Sequence, residues 1–306
     1  MKVISGLGKI RLKNTAAAIG IFDGVHRGHQ FLLKAMLKKA RQLKAKSMVI
    51  TFFPHPAHVF RPDIKLGYLM PLDHRLKLLE DMGIDVCVII PFNKKFAVIE
   101  PQPFIKDILV KRLGVRAVFV GDDFRFGRNR SGDVGLFKDL AQDGGYDMHT
   151  IPALLQAGEP ISSTRIRRLI GSGHLNEAKK LLGRPVALMG PVIKGRGRGR
   201  GLGYPTANVC YSADILPPNG VYAVRVAWKN KILPAVANLG LRPSFKEKKP
   251  KVHLEVHIFD FSQNLYGQTL EVQFLKKIRN EQTFASPQDL VCQIRKDAIR
   301  ARAYLG

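Results

Sequence analysis

The chain has 306 residues, of which 45% are hydrophobic and 24% are charged. These proportions exclude an intrinsically disordered protein, and the length favours two domains with separate cores. The net charge is +26, and two acid-free stretches, residues 24–62 and 178–213, carry eight and seven Lys or Arg residues. We therefore expect partners that carry phosphate, either nucleotides or nucleic acid.

No apolar run reaches the roughly 18 to 20 residues that a membrane span needs, and the first residues do not form a signal peptide. We expect a cytoplasmic protein with no membrane partner. The cysteines Cys87, Cys210 and Cys292 are far apart and lack metal-ligand spacing. They predict neither a disulfide framework nor a zinc site.

The first half alternates β-rich apolar runs with amphipathic helical stretches, which is typical of a parallel sheet covered on both faces. Between the first two strands, Leu32, Met36, Ala40 and Leu43 recur at helical spacing. The pattern predicts a doubly wound domain that ends after a helix near Leu182. Its predicted strands are 16–22, 48–53, 85–90, 116–120 and 147–151, and its further helices are 72–82, 103–113 and 134–143.

From Arg184 the pattern changes to short strands separated by Gly and Pro, which predicts an antiparallel sandwich or a small barrel. A closing helix begins near Pro287 and carries Leu290, Ile294 and Ala298 on one stripe. We place the domain boundary between residues 183 and 184, which gives domains 1–183 and 184–306. The predicted strands are 186–192, 221–228, 232–237, 252–259 and 270–275.

The first motif, GIFDGVHRGHQ, joins the first long strand to the helix that begins near His29. Anions bind at such a point, because unpaired N–H groups and the helix dipole face it. His26 and His29 could donate to phosphate oxygens, and Gly28 leaves space between them. The alternative is a structural turn with incidental histidines.

The second motif is ISSTRIR, residues 161–167. Ser163 and Thr164 could bond phosphate oxygens, while Arg167, with Arg165, would neutralise a leaving pyrophosphate. The alternative is a helix cap followed by solvated arginines.

The third motif is GRGRGRGLGYPTAN, residues 195–208. Glycine-rich backbone can approach and bind a polyphosphate, although the Gly-Lys-Ser/Thr ending of the Walker loop is missing. A flexible basic linker or an RNA-binding segment would have a similar composition.

Taken together, these motifs resemble those of the bacterial bifunctional riboflavin kinase and FMN adenylyltransferase family, also called FAD synthetase. TFFPHP (51–56), GDDFRFGRNRSGD (121–133) and PTAN (205–208) occur in the family's order. The resemblance implies a Rossmann-like nucleotidyltransferase domain, followed by a small antiparallel β-barrel kinase domain with a C-terminal helix. It also implies conversion of riboflavin to FMN, and of FMN to FAD with release of pyrophosphate.

For the adenylyltransferase, the resemblance implies direct attack of the FMN phosphate on the α-phosphate of ATP, with His26 and His29 as catalytic residues. The flavin side of the cleft would include His55, Asp123 and Phe124, although Asp123 could be a turn residue and Phe126 could belong to the core. The implied ATP-binding residues are Gly20, Phe22, Asp23, Gly28, Ser163, Thr164 and Arg167.

For the kinase, the resemblance implies that Thr206 and Asn208 bind Mg²⁺ on the ATP phosphates. Glu255 would be the general base that takes the proton of the ribityl 5′-hydroxyl. The sequence departs from the family pattern at Lys194, Arg196 and Ser244. The implied ATP-binding glycines are Gly195, Gly197, Gly199, Gly201 and Gly203.

The expected small-molecule partners are therefore riboflavin, FMN, FAD and ATP, and no nucleic acid partner is expected. Two other interpretations are open. The chain could have kept only one activity, or it could be a nucleic-acid-binding protein that uses its charge of +26.

Overall fold

The computed structural model describes residues 1–8, 10–61, 63, 66–195, 201, 203–241 and 252–306. The predicted site residues Gly197 and Gly199 lie outside the described residues, as do Arg196 and Ser244. The chain divides into two compact units. One contains residues 1–68 and 72–163, and the other contains residues 69–71 and 164–306.

The first unit is built on a six-stranded parallel sheet in the order β1-β4-β3-β2-β5-β6. A short antiparallel pair of strands, β7 and β8, follows the sheet. The strands are β1 Lys2–Ser5, β2 Thr15–Ile19, β3 Lys46–Phe53, β4 Val86–Pro91, β5 Val115–Gly121, β6 Asp147–Ile151, β7 Leu155–Gln156 and β8 Glu159–Pro160.

Helices cover both faces of this sheet. Alternate residues of β2 enter two different cores, with Ala16 beside Leu33 and Met36 on one face, and Ala17 beside Ile105 on the other. The central strand is therefore buried on both sides, as expected for a doubly wound sheet. The helices are α1 Arg27–Gln42, α2 Pro56–Phe60, α3 Leu72–Asp81, α4 Lys94–Ala97, α5 Pro101–Pro103, a π-helix Phe104–Arg112, α6 Val134–Asp139 and α7 Ala141–Gly144.

The second unit is a closed antiparallel barrel in the order β10-β13-β12-β11-β14-β9. Of the two architectures that the sequence left open, the barrel is therefore confirmed. Its strands are β9 Val186–Ile193, β10 Ala207–Val209, β11 Gly220–Trp228, β12 Lys231–Leu241, β13 Val252–Ile258 and β14 Thr269–Arg279, with helices α8 Ser163–Gly171, α9 Leu175–Leu182 and α10 Pro287–Leu305.

An ion pair and an apolar cluster attach α10 to the barrel. Asp297 is buried and accepts from Arg279 Nε at 2.9 and 3.0 Å and from Gln293 Nε2 at 2.8 Å. Ala298 and Ala301 pack in a cluster with residues of β11 and β12. The helix thereby packs against β11 and β12 of the barrel.

Four strands were not predicted from the sequence, namely β1, β7, β8 and β10. Each is short, with two to four residues, so none carries a clear alternating pattern. The predicted strand 16–22 ends at Ile19, because Phe22, Gly24 and Val25 adopt positive φ angles.

The domain boundary that we predicted at residue 184 follows from the change to short strands separated by Gly and Pro that begins at Arg184. By contrast, the compact units place α8 and α9 together with the barrel. The boundary at 184 therefore stays a prediction. Among the described residues, no helix has the length and apolar character that would let it cross a membrane.

Candidate active sites

The turn between β2 and α1 places the HRGH residues at the carboxyl edge of the parallel sheet. Asp23 is 2% exposed, and His26 is buried at the N-terminus of α1. His26 caps the helix, since its Nδ1 accepts the backbone N–H of His29 at 3.3 Å. The N-terminus of a helix favours an anion, because the helix dipole is positive there.

The two histidines lie face to face. Their ring centroids are 3.6 Å apart with an interplanar angle of 18°, and the Phe22 ring meets His29 edge-on at 5.3 Å. A Cβ on Gly28 would lie 3.2 Å from His26 Nδ1. The absence of a side chain at residue 28 thus leaves space for the His26 ring.

Asp23 links the HRGH turn to the ISSTRIR segment. Ser163 Oγ donates to the backbone oxygen of Asp23 at 2.9 Å, and both residues belong to the first unit. Thr164 is exposed and Arg167 is half-buried on α8, within the second unit. Their assignment to ATP binding stays a prediction.

His55, which was predicted on the flavin side, begins α2. Its Nδ1 accepts the N–H of Ala57 at 3.0 Å, and its own N–H donates to Tyr68 Oη at 2.6 Å. Tyr68 also stacks on Phe53 with centroids 5.8 Å apart. The loop therefore presents an aromatic and imidazole surface suited to a planar ring.

Asp123 and Phe124 follow β5 in a tight turn, in which the Phe124 N–H donates to Gly121 O at 3.2 Å. Asp123 is exposed and lies in this turn, so the turn conformation does not by itself indicate whether Asp123 binds flavin. Phe124 stacks on Phe126 at 5.7 Å, and Phe126 is buried. The alternative that Phe126 belongs to the core is confirmed.

In the barrel, strand register brings Asn208 and Glu255 together. Asn208 of β10 pairs with Glu255 of β13, and Glu255 pairs in turn with Asn238 of β12. Opposite residues of antiparallel strands have Cβ atoms about 4.5–5.5 Å apart on one face of the sheet. Leu254 and Val256 are buried in the barrel, so the row of Asn208, Glu255 and Asn238 lies on its outer face.

Thr206 precedes β10 and lines a cavity of about 490 Å³. This volume lies within the range of about 300–1,000 Å³ that is usual for small-molecule sites. Apolar and polar groups both line the cavity. Its lining consists of Val192, Pro205, Thr206, Ala207, Val256, Ile258 and the loop residues Phe261, Ser262, Gln263, Asn264, Leu265 and Tyr266.

The described glycines of the GRGRGRGLG segment differ in their surroundings. A Cβ on Gly195 would lie 2.3 Å from Asn208 Nδ2, so the backbone at residue 195 is packed on that amide. Gly201 and Gly203 are exposed, and Gly203 has a positive φ of 80° that favours glycine.

Two residues near these sites were not identified from the sequence. His257 Nδ1 lies 2.9 Å from Pro205 O, which ties β13 to the PTAN turn. Arg75 is fully buried beside the HRGH turn. A signal existed for Arg75, because it lies on the apolar stripe of α3 that includes Leu72 and Leu79. A charged residue on such a stripe indicates a buried partner.

Comparisons with known proteins match a separate family model to each part of the chain. The FAD synthetase family model matches residues 9–165, and the riboflavin kinase family model matches residues 182–305. A bifunctional riboflavin kinase/FMN adenylyltransferase from Escherichia coli K12 is 40% identical over 310 residues, which cover 100% of this chain and 98% of that protein. The chain belongs to the bifunctional riboflavin kinase/FMN adenylyltransferase family. The resemblance inferred from the motifs is thereby confirmed.

Two further relatives show that the family likeness spans both units. The bifunctional riboflavin kinase/FMN adenylyltransferase of Haemophilus influenzae is 38% identical, with 100% of both chains covered. A crystal structure described as a macrolide-efflux protein from Streptococcus pneumoniae has a TM-score of 0.84 at 30% identity and covers 97% of each chain. A member of this family is therefore expected to contain both folds in one chain.

Proposed function

We propose that this chain makes both flavin cofactors, phosphorylating riboflavin to FMN at the barrel and adenylylating FMN to FAD at the α/β unit. The single observation that carries the proposal is that two family models, one for each activity, match separate parts of the chain. We expect the protein to act in the cytoplasm.

At the α/β unit, the reaction needs positioning more than covalent chemistry. The FMN phosphate attacks the α-phosphorus of ATP, one P–O bond forms, and the bond to pyrophosphate breaks. His26 and His29 supply donors to the charge that develops, and the N-terminus of α1 adds its dipole. Neither histidine needs to form a bond to the substrate, so no covalent intermediate is involved.

On the flavin side, His55, Asp123 and Phe124 are proposed to contact the FMN ring and its phosphate. Phe124 is half-buried against Phe126, which leaves part of its ring accessible. Support for this assignment comes from the aromatic surroundings of both loops, since planar rings stack favourably on one another.

At the barrel, Glu255 is proposed to accept the proton of the ribityl 5′-hydroxyl as that oxygen attacks the γ-phosphorus of ATP. Its position beside Asn208 supports this role, because the base would then lie next to the phosphate-binding residues. The cavity lined by Thr206 would take a substrate of the kinase.

A magnesium ion fits the donors of this site. The Thr206 hydroxyl and the Asn208 amide carbonyl are hard oxygen ligands, and magnesium takes few protein ligands beside water and phosphate. Bound there with ATP, the ion would neutralise charge on the phosphates. Of the described residues, no group of three or more His, Cys, Asp or Glu side chains could hold a metal, so phosphate and water would complete the coordination.

The direct test is incubation of the protein with riboflavin, ATP and Mg²⁺, followed by chromatography for FMN and FAD. We expect both products. If FMN accumulates without FAD, the adenylyltransferase assignment fails, and if neither product forms, the whole proposal is wrong. Tight RNA binding at physiological salt without turnover would favour the nucleic-acid alternative.

The boundary at residue 184 can be tested with two fragments. We expect residues 184–306 to convert riboflavin to FMN alone, since every kinase motif lies there. However, α9 contacts β9 and β14, and the shorter fragment lacks this helix. Arg184, the first residue of that fragment, is half-buried: burial lowers its pKa to about 10, and the charge of Glu271 opposes this shift. Residues 164–306 provide the matched control. If only this longer fragment folds and is active, the functional boundary lies before α8.

A further inference from the structure

Arg75 carries a buried charge that the roles described above do not use. Its side chain is fully buried on α3 and is the largest such side chain among the described residues. Burying a guanidinium is unfavourable unless charges and hydrogen bonds compensate for lost solvation. Its partners therefore indicate which part of the protein requires it.

The partners of Arg75 lie in the turn that carries the histidines. Nη1 donates to the backbone oxygen of Ile21 at 2.9 Å, and Nη2 lies 3.6 Å from Asp23 Oδ1. Thr51 Oγ1 donates to the same oxygen of Ile21 at 3.1 Å. These bonds hold the residues on both sides of Phe22.

The turn needs such support because its backbone is strained. Phe22 and Val25 have φ angles of 53° and 38°, which non-glycine residues rarely adopt. Such conformations persist only where the surroundings enforce them. Because the Phe22 ring contacts His29, a change in this turn would reach the catalytic pair directly.

Arg75 also contacts the loop predicted to bind flavin. Its guanidinium carbon lies 5.6 Å from the centre of the Tyr68 ring, and the Tyr68 hydroxyl accepts the N–H of His55. One buried side chain thus contacts both the turn on the ATP side and the aromatic residue that anchors the flavin-side loop.

We propose that Arg75 is a positioning residue for adenylyl transfer, which holds the HRGH turn and the His55 loop in the geometry that the reaction requires. The inference rests on the function proposed above for the α/β unit. It differs from a purely stabilising role, because it predicts a loss of turnover in molecules that remain folded. A misplacement of about 1 Å can lower a rate about 10²-fold.

The test compares three variants of the full-length protein, Arg75→Met, Arg75→Lys and Arg41→Met. Arg41 is an exposed arginine on α1 and serves as the matched control. For Arg75→Met, we expect kcat for FAD formation to fall about 10²-fold per folded molecule. Arg75→Lys should recover part of this loss, because it keeps the positive charge but lacks the planar guanidinium whose two nitrogens face Ile21 O and Asp23. Kinase turnover should stay at the wild-type value in all three.

The folded fraction is measured by hydrogen exchange of the β2 and β3 amides. The proposal is overturned if Arg75→Met has both the hydrogen exchange of the wild type and its kcat for FAD formation. Should Arg75→Met fail to fold, Arg75→Lys and Tyr68→Phe decide the question. Tyr68→Phe removes the bond to His55 and should raise the KM for FMN with little change in kinase turnover.

If Arg75→Lys has wild-type kcat and Tyr68→Phe has a wild-type KM for FMN, the positioning role is likewise overturned. Failure of the proposed function itself gives a different result, since the wild-type protein would then form no FAD at all.

Discussion

The two proposed sites are built in opposite ways. In the α/β unit, Asp23 and His26 are buried in a turn with positive φ angles, and their positions depend on packing from several elements. In the barrel, Asn208 and Glu255 are half-buried on an outer face, and strand register brings them side by side. The first site depends on the hydrophobic core, and the second depends on hydrogen-bonded strand pairing.

This difference predicts different responses to mutation. A substitution in the HRGH turn changes the position of its neighbours, because the rings are in contact. A substitution at Glu255 changes mainly the chemistry of one side chain, since the backbone ladder of β13 stays intact. The following experiments test that contrast.

The largest effect is expected for Glu255→Gln. Removing a positioned general base typically lowers turnover by about 10² to 10⁴, while binding can survive. We expect slow FMN formation, with riboflavin and Mg-ATP binding close to wild type and FAD formation from added FMN unchanged. Wild-type turnover measured by FMN chromatography would show that Glu255 is not the base.

Thr206→Ala provides the contrast at the same site. A lost magnesium ligand should weaken productive binding of Mg-ATP, and extra Mg²⁺ should restore part of the activity. The measurement is the apparent Mg²⁺ affinity from kinase rates at several metal concentrations. An unchanged affinity would remove Thr206 from the proposed metal ligands.

His29→Ala tests the first site. Loss of one preorganised donor to a developing charge costs about 10² to 10³ in rate. We therefore expect FAD formation to collapse while FMN formation continues at the wild-type rate in the same sample. If FAD synthesis stays near normal, the HRGH segment is a structural turn.

Asp297→Ala tests whether the barrel depends on α10. Asp297 is buried with Arg279, and breaking such a buried pair costs about 3–5 kcal/mol of unfolding free energy. We expect the barrel to unfold at markedly lower denaturant concentration, with Asp107→Ala as the control. Asp107 pairs with Lys111 at 2.8 Å on the exposed surface of the first unit, so its loss should leave the barrel midpoint unchanged. Equal midpoints for the two variants would contradict the proposed role of α10.

Much of this architecture could be predicted from the sequence, since β-rich runs and helical stripes mark the long elements. Strand β6 was predicted with its observed bounds, 147–151. The pairing of Asn208 with Glu255 could not be derived from spacing, because 47 residues separate them and β10 has only three residues. The burial of Arg75 could have been predicted from its place on the apolar stripe of α3, but its partners could not, because they are distant in the sequence.

The smallest effect is expected for Gly28→Ala, and it separates geometry from stability at the first site. Alanine is favoured over glycine in a helix by about 0.8–1.0 kcal/mol, and residue 28 lies in the first turn of α1. Yet its Cβ would lie 3.2 Å from His26 Nδ1, so the imidazole must shift by a few tenths of an ångström. We expect kcat for FAD formation to fall roughly tenfold, less than the 10²-fold that a 1 Å error can cost. The free energy of unfolding of Gly28→Ala should equal that of the wild type or be higher.

Gly171→Ala is the control, since no atom lies within 4 Å of its added Cβ, and it should leave turnover unchanged. Wild-type turnover in Gly28→Ala would show that the site tolerates movement of His26, which would remove the contrast between the two sites.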